Sequence, residues 1–420
     1  MSYKKTSLEN GIRVVTEALP YVESAAVGIW VQVGSRDEGP TERGLCHFIE
    51  HTVFKGTERR SALEIVKEIE AVGGSINAFT SREYTCFHAK VLGRDLPLAL
   101  DVLSDLVARP LFDPQEVERE KMVVLQEIKM TEDTPEDYIH DLFNRSFWGG
   151  HPLGAPITGE EETVRAFTSE KVREFFHRHW RPERMVVAAA GRLEHEEVVD
   201  LVHRHLGALE GGGLAIQRVP PDGAQGGVKV FRRDLEQVHL CLGVQGVPHT
   251  DPRRFPAMVL NTLLGGNMSS RLFQEVREKR GLTYAIYSFL HTYSDAGVIG
   301  VYAGTTSEEV QEVTELIARE LEAVREGRVS EGEVSVAKEY LKGGLILGLE
   351  SPEGRMARLA KNEIYFGRYI PPEETLGQIE GVSLEEVIQV GGELFDVSPC
   401  TVLLGEVPEG VIQALPWSRC

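Results

Sequence analysis

The amino-acid sequence predicts an α+β fold of two homologous halves, each an antiparallel-rich mixed sheet with helices packed on one face. Three observations lead to this class. The chain has 420 residues, which is too long for one ordinary hydrophobic core. Segments of its first half recur in the same order in its second half. A stretch rich in glycine and proline separates the two copies.

The internal repeat consists of four pairs of similar segments, offset by about 207 to 217 positions. The pairs are residues 26–33 and 238–245, 65–79 and 272–286, 113–118 and 330–335, and 134–137 and 351–354. Chance similarity rarely keeps its order over such a length, so we interpret the chain as a duplication. The glycine and proline between the copies are too dense for a packed element. We therefore predict a first half at 1–209, a linker at 210–227 and a second half at 228–420.

Local patterns predict the elements within each half. Alternating apolar residues predict half-buried strands, for example at 27–33 and 85–92, and apolar residues at helical spacing predict a helix at 96–108. The motif Asp113-Pro114-x-Glu116 combines an N-cap, a proline at N1 and a glutamate at N3, so a further helix is expected from there to about Met130. Strands joined by short turns and followed by helices are typical of α+β layers.

Composition excludes several classes of function. The formal net charge of −20 argues against nucleic acid and anionic membrane as partners, because both require a basic surface. The five cysteines form no Cys-x-x-Cys pair, so neither a disulfide scaffold nor a cysteine-zinc module is expected. The first residues contain no apolar core of a signal peptide, and the strongly apolar stretches are too short to span a bilayer. We expect a cytoplasmic protein.

The segment His47-Phe48-Ile49-Glu50-His51 carries the clearest chemical signal. In a helix, His47 and His51 lie one above the other on the same face, and two imidazoles at that spacing can bind one zinc ion. Glu50 projects toward the same region and can accept a proton without being a ligand. The pattern is His-x-x-Glu-His, the inverse of the commoner His-Glu-x-x-His. Two unrelated histidines beside a chance glutamate are the alternative interpretation.

A catalytic zinc site needs a third protein ligand, which is expected to be a carboxylate from another element. The predicted helix from Asp113 supplies two candidates, Glu120 and Glu127, which are seven residues apart and therefore share a helical face. Their apolar neighbours indicate that this face is partly buried. The spacing alone does not decide which of the two is the ligand.

His47-x-x-Glu50-His51 followed by Glu127 resembles the pitrilysin-type (inverzincin) zinc metallopeptidases, in the branch of the mitochondrial processing peptidase β subunit and its bacterial relatives. The resemblance covers essentially the whole chain, including its duplication. It implies one zinc ion (Zn2+) per chain, held by His47, His51 and Glu127. It also implies that Glu50 is the general base and that Glu120 is an acidic residue supporting the ligands.

The second half lacks the metal motif, because Met258, Asn261, Thr262 and Gly344 stand opposite the four motif residues. We therefore expect no zinc there and interpret this half as a wall of the substrate cavity. The resembled family uses an arginine and a tyrosine seven apart to bind substrate, and Arg277 and Tyr284 match that pair. Without the resemblance, a surface arginine and a half-buried strand tyrosine would be the simpler interpretation.

The family also pairs the substrate backbone with an exposed strand edge, which corresponds here to residues 76–81. On this basis Asn77, Ala78 and Phe79 are candidate substrate-binding residues. Phe79 is expected to line the pocket beside the scissile bond, although a core phenylalanine is an equally good interpretation of the residue type.

These observations predict a zinc-dependent endopeptidase that cleaves peptides or unfolded segments bound as an extended strand between two homologous domains. The alternative is a non-catalytic or partner-dependent subunit similar to those of processing peptidases. Hydrolysis of a non-peptide substrate is a third, less favoured reading. The resemblance further implies a homodimer or a related oligomer, because such relatives use two two-domain units to enclose a cavity.

Overall fold

The computed structural model describes residues 2–212 and 216–415, so residues 213–215 of the predicted linker lie outside the described part. The described strands are β1 (Ser2–Ser7), β2 (Arg13–Ala18), β3 (Ser24–Val31), β4 (Ser75–Thr80), β5 (Thr85–Leu92), β6 (Met185–Gly191), β7 (Gly227–Phe231), β8 (Val238–Gln245), β9 (Ala285–Thr292), β10 (Gly297–Thr305) and β11 (Cys400–Leu404). The α-helices in the same residues are α1 (Leu45–Val53), α2 (Ala62–Glu70), α3 (Leu96–Ala108), α4 (Pro114–Asp133), α5 (Pro135–Trp148), α6 (Glu161–Arg165), α7 (Ser169–His179), α8 (His195–Leu206), α9 (Arg254–Gly265), α10 (Val310–Arg325), α11 (Glu331–Gly348), α12 (Pro352–Phe366), α13 (Pro372–Gly381), α14 (Leu384–Leu394) and α15 (Glu409–Ala414). A π-helical segment covers Phe273–Glu278.

The two sheets share one topology. The first has the strand order β1-β2-β6-β3-β5-β4, and the second has the order β7-β11-β8-β10-β9. In each sheet one pair is parallel, β2 with β6 and β7 with β11, and every other pair is antiparallel. Apart from the additional β1, the strands correspond one to one in order and direction. This arrangement confirms the predicted α+β class of two homologous halves.

The described chain divides into two compact units whose boundaries differ from the predicted halves. The first unit consists of residues 1–130, 155–218 and 347–369, and the second of residues 131–154, 219–346 and 370–420. The main boundary falls inside the predicted linker. The other boundaries arise because α5 belongs to the second unit and α12 to the first. The predicted halves and the compact units are therefore two different divisions of the chain. The halves separated by the linker at 210–227 remain a prediction about the repeat in the sequence, whereas the units group the residues that pack together.

In the first unit, helices cover both faces of the sheet. One face packs against α1 and α3 in a continuous apolar core that includes Ile29 and Phe48. The opposite face packs against α12, whose Met356, Leu359 and Ala360 join a second buried cluster. The helix is held there by polar contacts as well, since Arg355 Nη1 lies 2.7 Å from Glu17 Oε1 on β2. The predicted layer of helices on one face is thus present, and α12 adds a layer on the other.

In the second unit, α5 packs on the second sheet as α12 packs on the first sheet in the first unit. Its Ile139, Phe143 and Phe147 are buried in one cluster with residues of β8, β10 and β11. Gly243 on β8 permits this close approach, since an added Cβ would lie 2.8 Å from the ring of Phe143. Both helices begin with a proline in the first turn, Pro135 in α5 and Pro352 in α12. The corresponding helices of the duplication are therefore exchanged between the units.

The helices predicted near the metal motif have these bounds. α3 covers Leu96–Ala108, as expected. α4 begins after Asp113, whose Oδ1 accepts the backbone N–H groups of Gln115 (2.8 Å) and Glu116 (3.3 Å), and it continues to Asp133. Among the described residues, no helix has the length and apolar content needed to cross a bilayer.

The exchange of α5 and α12 predicts selective effects of two core substitutions. Leu359→Ala should leave a cavity beneath the first sheet, at a cost of about 2–5 kcal/mol, and so accelerate amide hydrogen exchange in β3 and β6. Phe143→Ala should accelerate exchange in β8 and β11 instead. Hydrogen exchange followed by mass spectrometry measures both. Equal acceleration in the two sheets by either variant would contradict the assignment of these helices.

Candidate metal centre

The helix α1 presents two imidazoles on one face. His47 and His51 are one turn apart, and the centroids of their rings are separated by 4.6 Å. His47 is buried and His51 is half-buried. Burial, followed by the neighbouring His51, lowers the pKa of His47 to about 4, so its imidazole is neutral at physiological pH. A neutral imidazole is the form that ligates a metal.

The third candidate ligand comes from α4. Glu127 Oε2 lies 3.6 Å from His47 Nε2 and 3.5 Å from His51 Nε2. Two ligand atoms that bind a tetrahedral zinc ion at their usual distances are roughly 3.4 Å apart, so both contacts of Glu127 have the spacing of zinc ligands. The ligand atoms of all three side chains lie within 4.8 Å of one another. In the described part of the chain, this is the one group of histidine, cysteine or acidic side chains found to converge in this way. Two nitrogen donors and one carboxylate are a common ligand set of catalytic zinc.

Glu120 occupies a different position on the same face of α4. Its side chain is 4% exposed, and its Oε1 lies 2.9 Å from His51 Nδ1, the ring nitrogen that points away from Glu127. Its Oε2 lies 2.8 Å from the ammonium group of Lys55. A carboxylate bound to the second nitrogen of a ligating histidine fixes the orientation and tautomer of the ring. Glu120 therefore supports His51 and is not part of the ligand group.

The pKa shifts of Glu120 and His51 agree with a charged contact between these two side chains. Burial acts to raise the pKa of Glu120, but the hydrogen bond from His51 and the charge of Lys55 outweigh it, so the pKa is lowered and the group stays ionised. Burial acts to lower the pKa of His51, and the bond to Glu120 with the charges of Glu127 and Glu120 raises it overall. Both effects strengthen the contact between Glu120 and His51.

Glu50 lies beside the ligand group without joining it. Its Oε2 accepts a hydrogen bond of 2.6 Å from the hydroxyl of Thr80, at the end of β4. Burial raises the pKa of Glu50, although the hydrogen bond from Thr80 and the charge of His51 act against it. A carboxylate whose pKa is raised toward neutrality is suited to accept and return a proton.

β4 is an edge strand of the first sheet, paired only with β5 among the described strands. Asn77 is exposed on it, and its Oδ1 accepts the backbone N–H of Ala78 at 2.8 Å. Successive side chains of a strand point to opposite faces. Ala78 and Thr80 therefore share the face of α1, where Thr80 reaches Glu50.

Phe79 lies on the face of β4 opposite Ala78 and Thr80. Its ring packs edge-on against Trp30 and close to Tyr84 and His88, on the face of the sheet opposite α1. The period of two along β4 places it there. The expectation that its side chain lines the pocket beside the scissile bond stays a prediction. A role of residue 79 through its backbone stays a prediction.

The pair predicted in the second half is in contact. Arg277 lies near the end of the π-helical segment, and its guanidinium lies 4.9 Å from the ring centroid of Tyr284 and 4.7 Å from that of Phe273. Tyr284 is 79% exposed, so it is not the half-buried strand residue that its type alone suggested. The contact is a cation–π interaction, which orders both side chains at the surface of the second unit.

Lys55 and Thr80 contact the candidate site, although the sequence did not predict a role for them. Lys55 follows His51 by four residues, and the i, i+4 spacing on a helix was a usable signal for it. Thr80 left a weaker signal, since only the alternation along β4 places it with Ala78. The residues opposite the motif in the second half are Met258, Asn261 and Thr262 on α9 and Gly344 on α11, which offer neither imidazole nor carboxylate.

Comparison with known proteins agrees with this geometry. A family model described as Insulinase (Peptidase family M16) matches residues 13–161. A second, described as Peptidase M16 inactive domain, matches residues 166–341. The first match contains all the candidate ligands and Glu50, and the second contains Arg277 and Tyr284. The fold and the site together define a peptidase of the zinc-dependent class.

Relatives extend the match to nearly the whole chain. A protein of Streptomyces coelicolor, named an uncharacterized zinc protease, is 42% identical over 97% of this chain and 90% of its own length. A protein of Bacillus subtilis with the same description is 40% identical over 93% of this chain and 95% of its own. The chain belongs to the M16 family of zinc proteases, which confirms the predicted family.

Solved structures share the fold. A protease from Helicobacter pylori superposes with a TM-score of 0.90 at 23% identity, covering 96% of this chain and 99% of that one. A structure titled peptidase M16 inactive domain, from Pseudomonas fluorescens, has a TM-score of 0.88 at 19% identity, with 97% and 98% of the two chains covered. At these identities the likeness concerns the fold alone.

The contact between Glu120 and His51 predicts a measurable contribution to zinc affinity. Glu120→Gln keeps an oxygen for His51 but loses the negative charge that faces Lys55, so we expect zinc to bind about 10-fold more weakly. Competition with a chromogenic chelator measures the affinity. Glu118→Gln is the matched control, because Glu118 lies on the same helix with a side chain that is 67% exposed. Unchanged affinity in Glu120→Gln would contradict the supporting role.

Proposed function

We propose that this protein is a zinc-dependent endopeptidase that cleaves peptides or unfolded segments held as an extended strand. The observation that carries the proposal is the convergence of His47, His51 and Glu127 within 4.8 Å of one another, with Glu50 beside them and bound to Thr80. We further propose that one zinc ion binds per chain, since these residues form one ligand group. Zinc, when bound, supplies Lewis acidity that polarises a peptide carbonyl and makes water more acidic.

Glu50 is proposed to act first as the general base and then as the general acid. Its carboxylate takes a proton from the attacking water and then passes it to the nitrogen of the leaving amine. The burial that raises its pKa makes Glu50 a better acceptor for the proton of water than an exposed glutamate would be. The hydroxyl of Thr80 holds one carboxylate oxygen, so the side chain keeps a single orientation during both transfers.

The substrate is proposed to pair with the free edge of β4. Strand addition binds the backbone of a peptide, which suits extended segments of many sequences. The N–H of Ala78 supports this proposal, because it donates to the side-chain oxygen of Asn77, an acceptor that a peptide carbonyl can replace. An arriving peptide carbonyl replaces Asn77 as the acceptor, so the edge remains satisfied with or without substrate.

Arg277 and Tyr284 are proposed to bind the substrate carbonyl through the guanidinium and the phenol. Hydrogen-bond donors aimed at the developing negative charge stabilise the transition state of peptide cleavage. Their mutual contact supports this role, since it limits the freedom of both side chains before substrate binds.

The rival function is a subunit that binds substrate but needs a partner for cleavage. The description of the second-half match as an inactive domain favours it in part. A purified sample that cleaves an unstructured peptide internally, stops on addition of a chelator and recovers with zinc would support the endopeptidase. We also propose association into a dimer, which light scattering on the same sample tests.

Glu50→Gln should separate binding of the metal from catalysis. The amide cannot accept the proton, so we expect the rate of peptide cleavage to fall by about 10²- to 10⁴-fold while zinc remains bound. Cleavage of a quenched fluorescent peptide and the zinc content of the same preparation measure the two properties. Full activity in this variant would exclude Glu50 as the base.

Tyr284→Phe tests the proposed carbonyl contact. The substitution keeps the ring that Arg277 contacts and removes only the hydroxyl, so kcat is expected to fall by about 10²-fold. Tyr340→Phe is the control, because Tyr340 is also an exposed tyrosine of the second unit, with 55% of its surface accessible. Steady-state kinetics on one peptide compares them. Equal kcat values for the two variants would remove Tyr284 from the mechanism.

A further inference from the structure

A buried carboxylate outside the metal site holds the beginning of the metal helix. Glu38 is 5% exposed. Its Oε2 accepts the backbone N–H of Gly44, and its Oε1 accepts that of Cys46, each at 2.7 Å. The first N–H groups of a helix have no partner within the helix and need an outside acceptor. Glu38 supplies that acceptor to α1 from a separate segment of the chain.

The need for an outside acceptor follows from Gly44 itself. This residue precedes α1 with φ of 92°, a left-handed conformation that favours glycine. An added Cβ would lie 2.7 Å from Gly159 Cα and from the carbonyl oxygen of Thr158. No residue with a capping side chain fits at position 44. The usual N-cap is therefore excluded, and Glu38 replaces it.

The segment that carries Glu38 is held in turn. A short 3-10 helix, Ser35–Asp37, precedes it. The carboxylate of Asp37 accepts the N–H of Gly34 at 3.0 Å, and it accepts the guanidinium of Arg218 at 2.9 and 2.8 Å. Because Asp37 is bonded to both Gly34 and Arg218, the segment that carries Glu38 is held in place. Glu38 therefore contacts α1 from a fixed position.

We propose that Glu38 is a positioning residue for the metal site, which fixes the first turn of α1 and thereby the place of His47. The proposal rests on the zinc site of the proposed function. Cys46, whose N–H Glu38 holds, directly precedes His47 in the helix. Zinc tolerates errors of only about 0.2 Å in its ligand distances, so a small shift of α1 relative to α4 weakens the site.

The acceptor role does not depend on a particular charge. Burial raises the pKa of Glu38 to about 8, and the N–H groups of Cys46 and Gly44 act in the opposite direction. Both protonation states present two oxygens toward the helix. Glutamine has nearly the same shape but replaces one oxygen with an NH2 group, which would face a backbone N–H. Glu38→Gln therefore tests the acceptor geometry directly.

The experiment compares the zinc affinity of the full chain in the wild type, Glu38→Gln and Glu17→Gln. Glu17 is the matched control, because it is a buried carboxylate of the same unit, 3% exposed, and it contacts Arg355 on α12 and not α1. Competition with a chromogenic chelator gives the affinity, and the visible spectrum of the cobalt-substituted protein reports the ligand geometry. We expect zinc to bind about 10- to 100-fold more weakly in Glu38→Gln, with an altered cobalt spectrum, and as in the wild type in Glu17→Gln.

Two results would overturn the inference. One is wild-type affinity in Glu38→Gln; the other is the same loss in Glu17→Gln, which would attribute the effect to general destabilisation. If Glu38→Gln does not fold, Glu38→Asp replaces it, since it keeps both oxygens but withdraws them by one methylene, and Glu17→Asp becomes the control. The same affinity in these two variants would again reject the role. Absence of zinc binding in the wild type would instead reject the proposed function.

Discussion

The contact of Glu120 with His51 and Lys55 determines how α4 lies against α1. A buried carboxylate is costly unless it is paired, and Glu120 has two partners, both on the segment of α1 and the turn that follows it. This pairing fixes the register of the two helices. Two turns further along α4, on the same face, Glu127 then meets the Nε2 atoms of both histidines. The candidate metal centre therefore includes a supporting contact from outside the group of three candidate ligands.

The duplication shows that the fold does not require this centre. The second unit has the same strand order and the same single parallel pair as the first, and residues such as Met258 and Gly344 stand where the first has the candidate ligands. Its buried clusters are apolar and continuous with its own helices. Because burial of apolar surface supplies the driving force for folding, this architecture forms with or without the candidate ligand residues. The exposed Tyr284 and its partner Arg277 belong to the copy that lacks the His-x-x-Glu-His motif.

Local patterns in the sequence predicted local structure well. The cap at Asp113, the helix at 96–108 and the pairing of His47 with His51 all depend on residues within a few turns of one another. The contacts that were not foreseen join distant segments. The packing of α12 on the first sheet, and that of α5 on the second, depends on which apolar surfaces meet after the chain has folded. Nothing in the local spacing of Leu359 indicates that choice.

The two glutamates of α4 also show that local sequence patterns do not predict contacts between distant segments. Glu120 and Glu127 have the same chemistry and share a helical face, so spacing leaves either of them as the third ligand. Their surroundings distinguish them: the side chain of Glu120 is 4% exposed and contacts His51 and Lys55, whereas that of Glu127 is 44% exposed and lies beside the two imidazoles. Lys55 makes the difference, since it neutralises one carboxylate and leaves the charge of the other available to a cation. An identical residue type thus has two environments, because the ammonium group of Lys55 lies 2.8 Å from the carboxylate of Glu120.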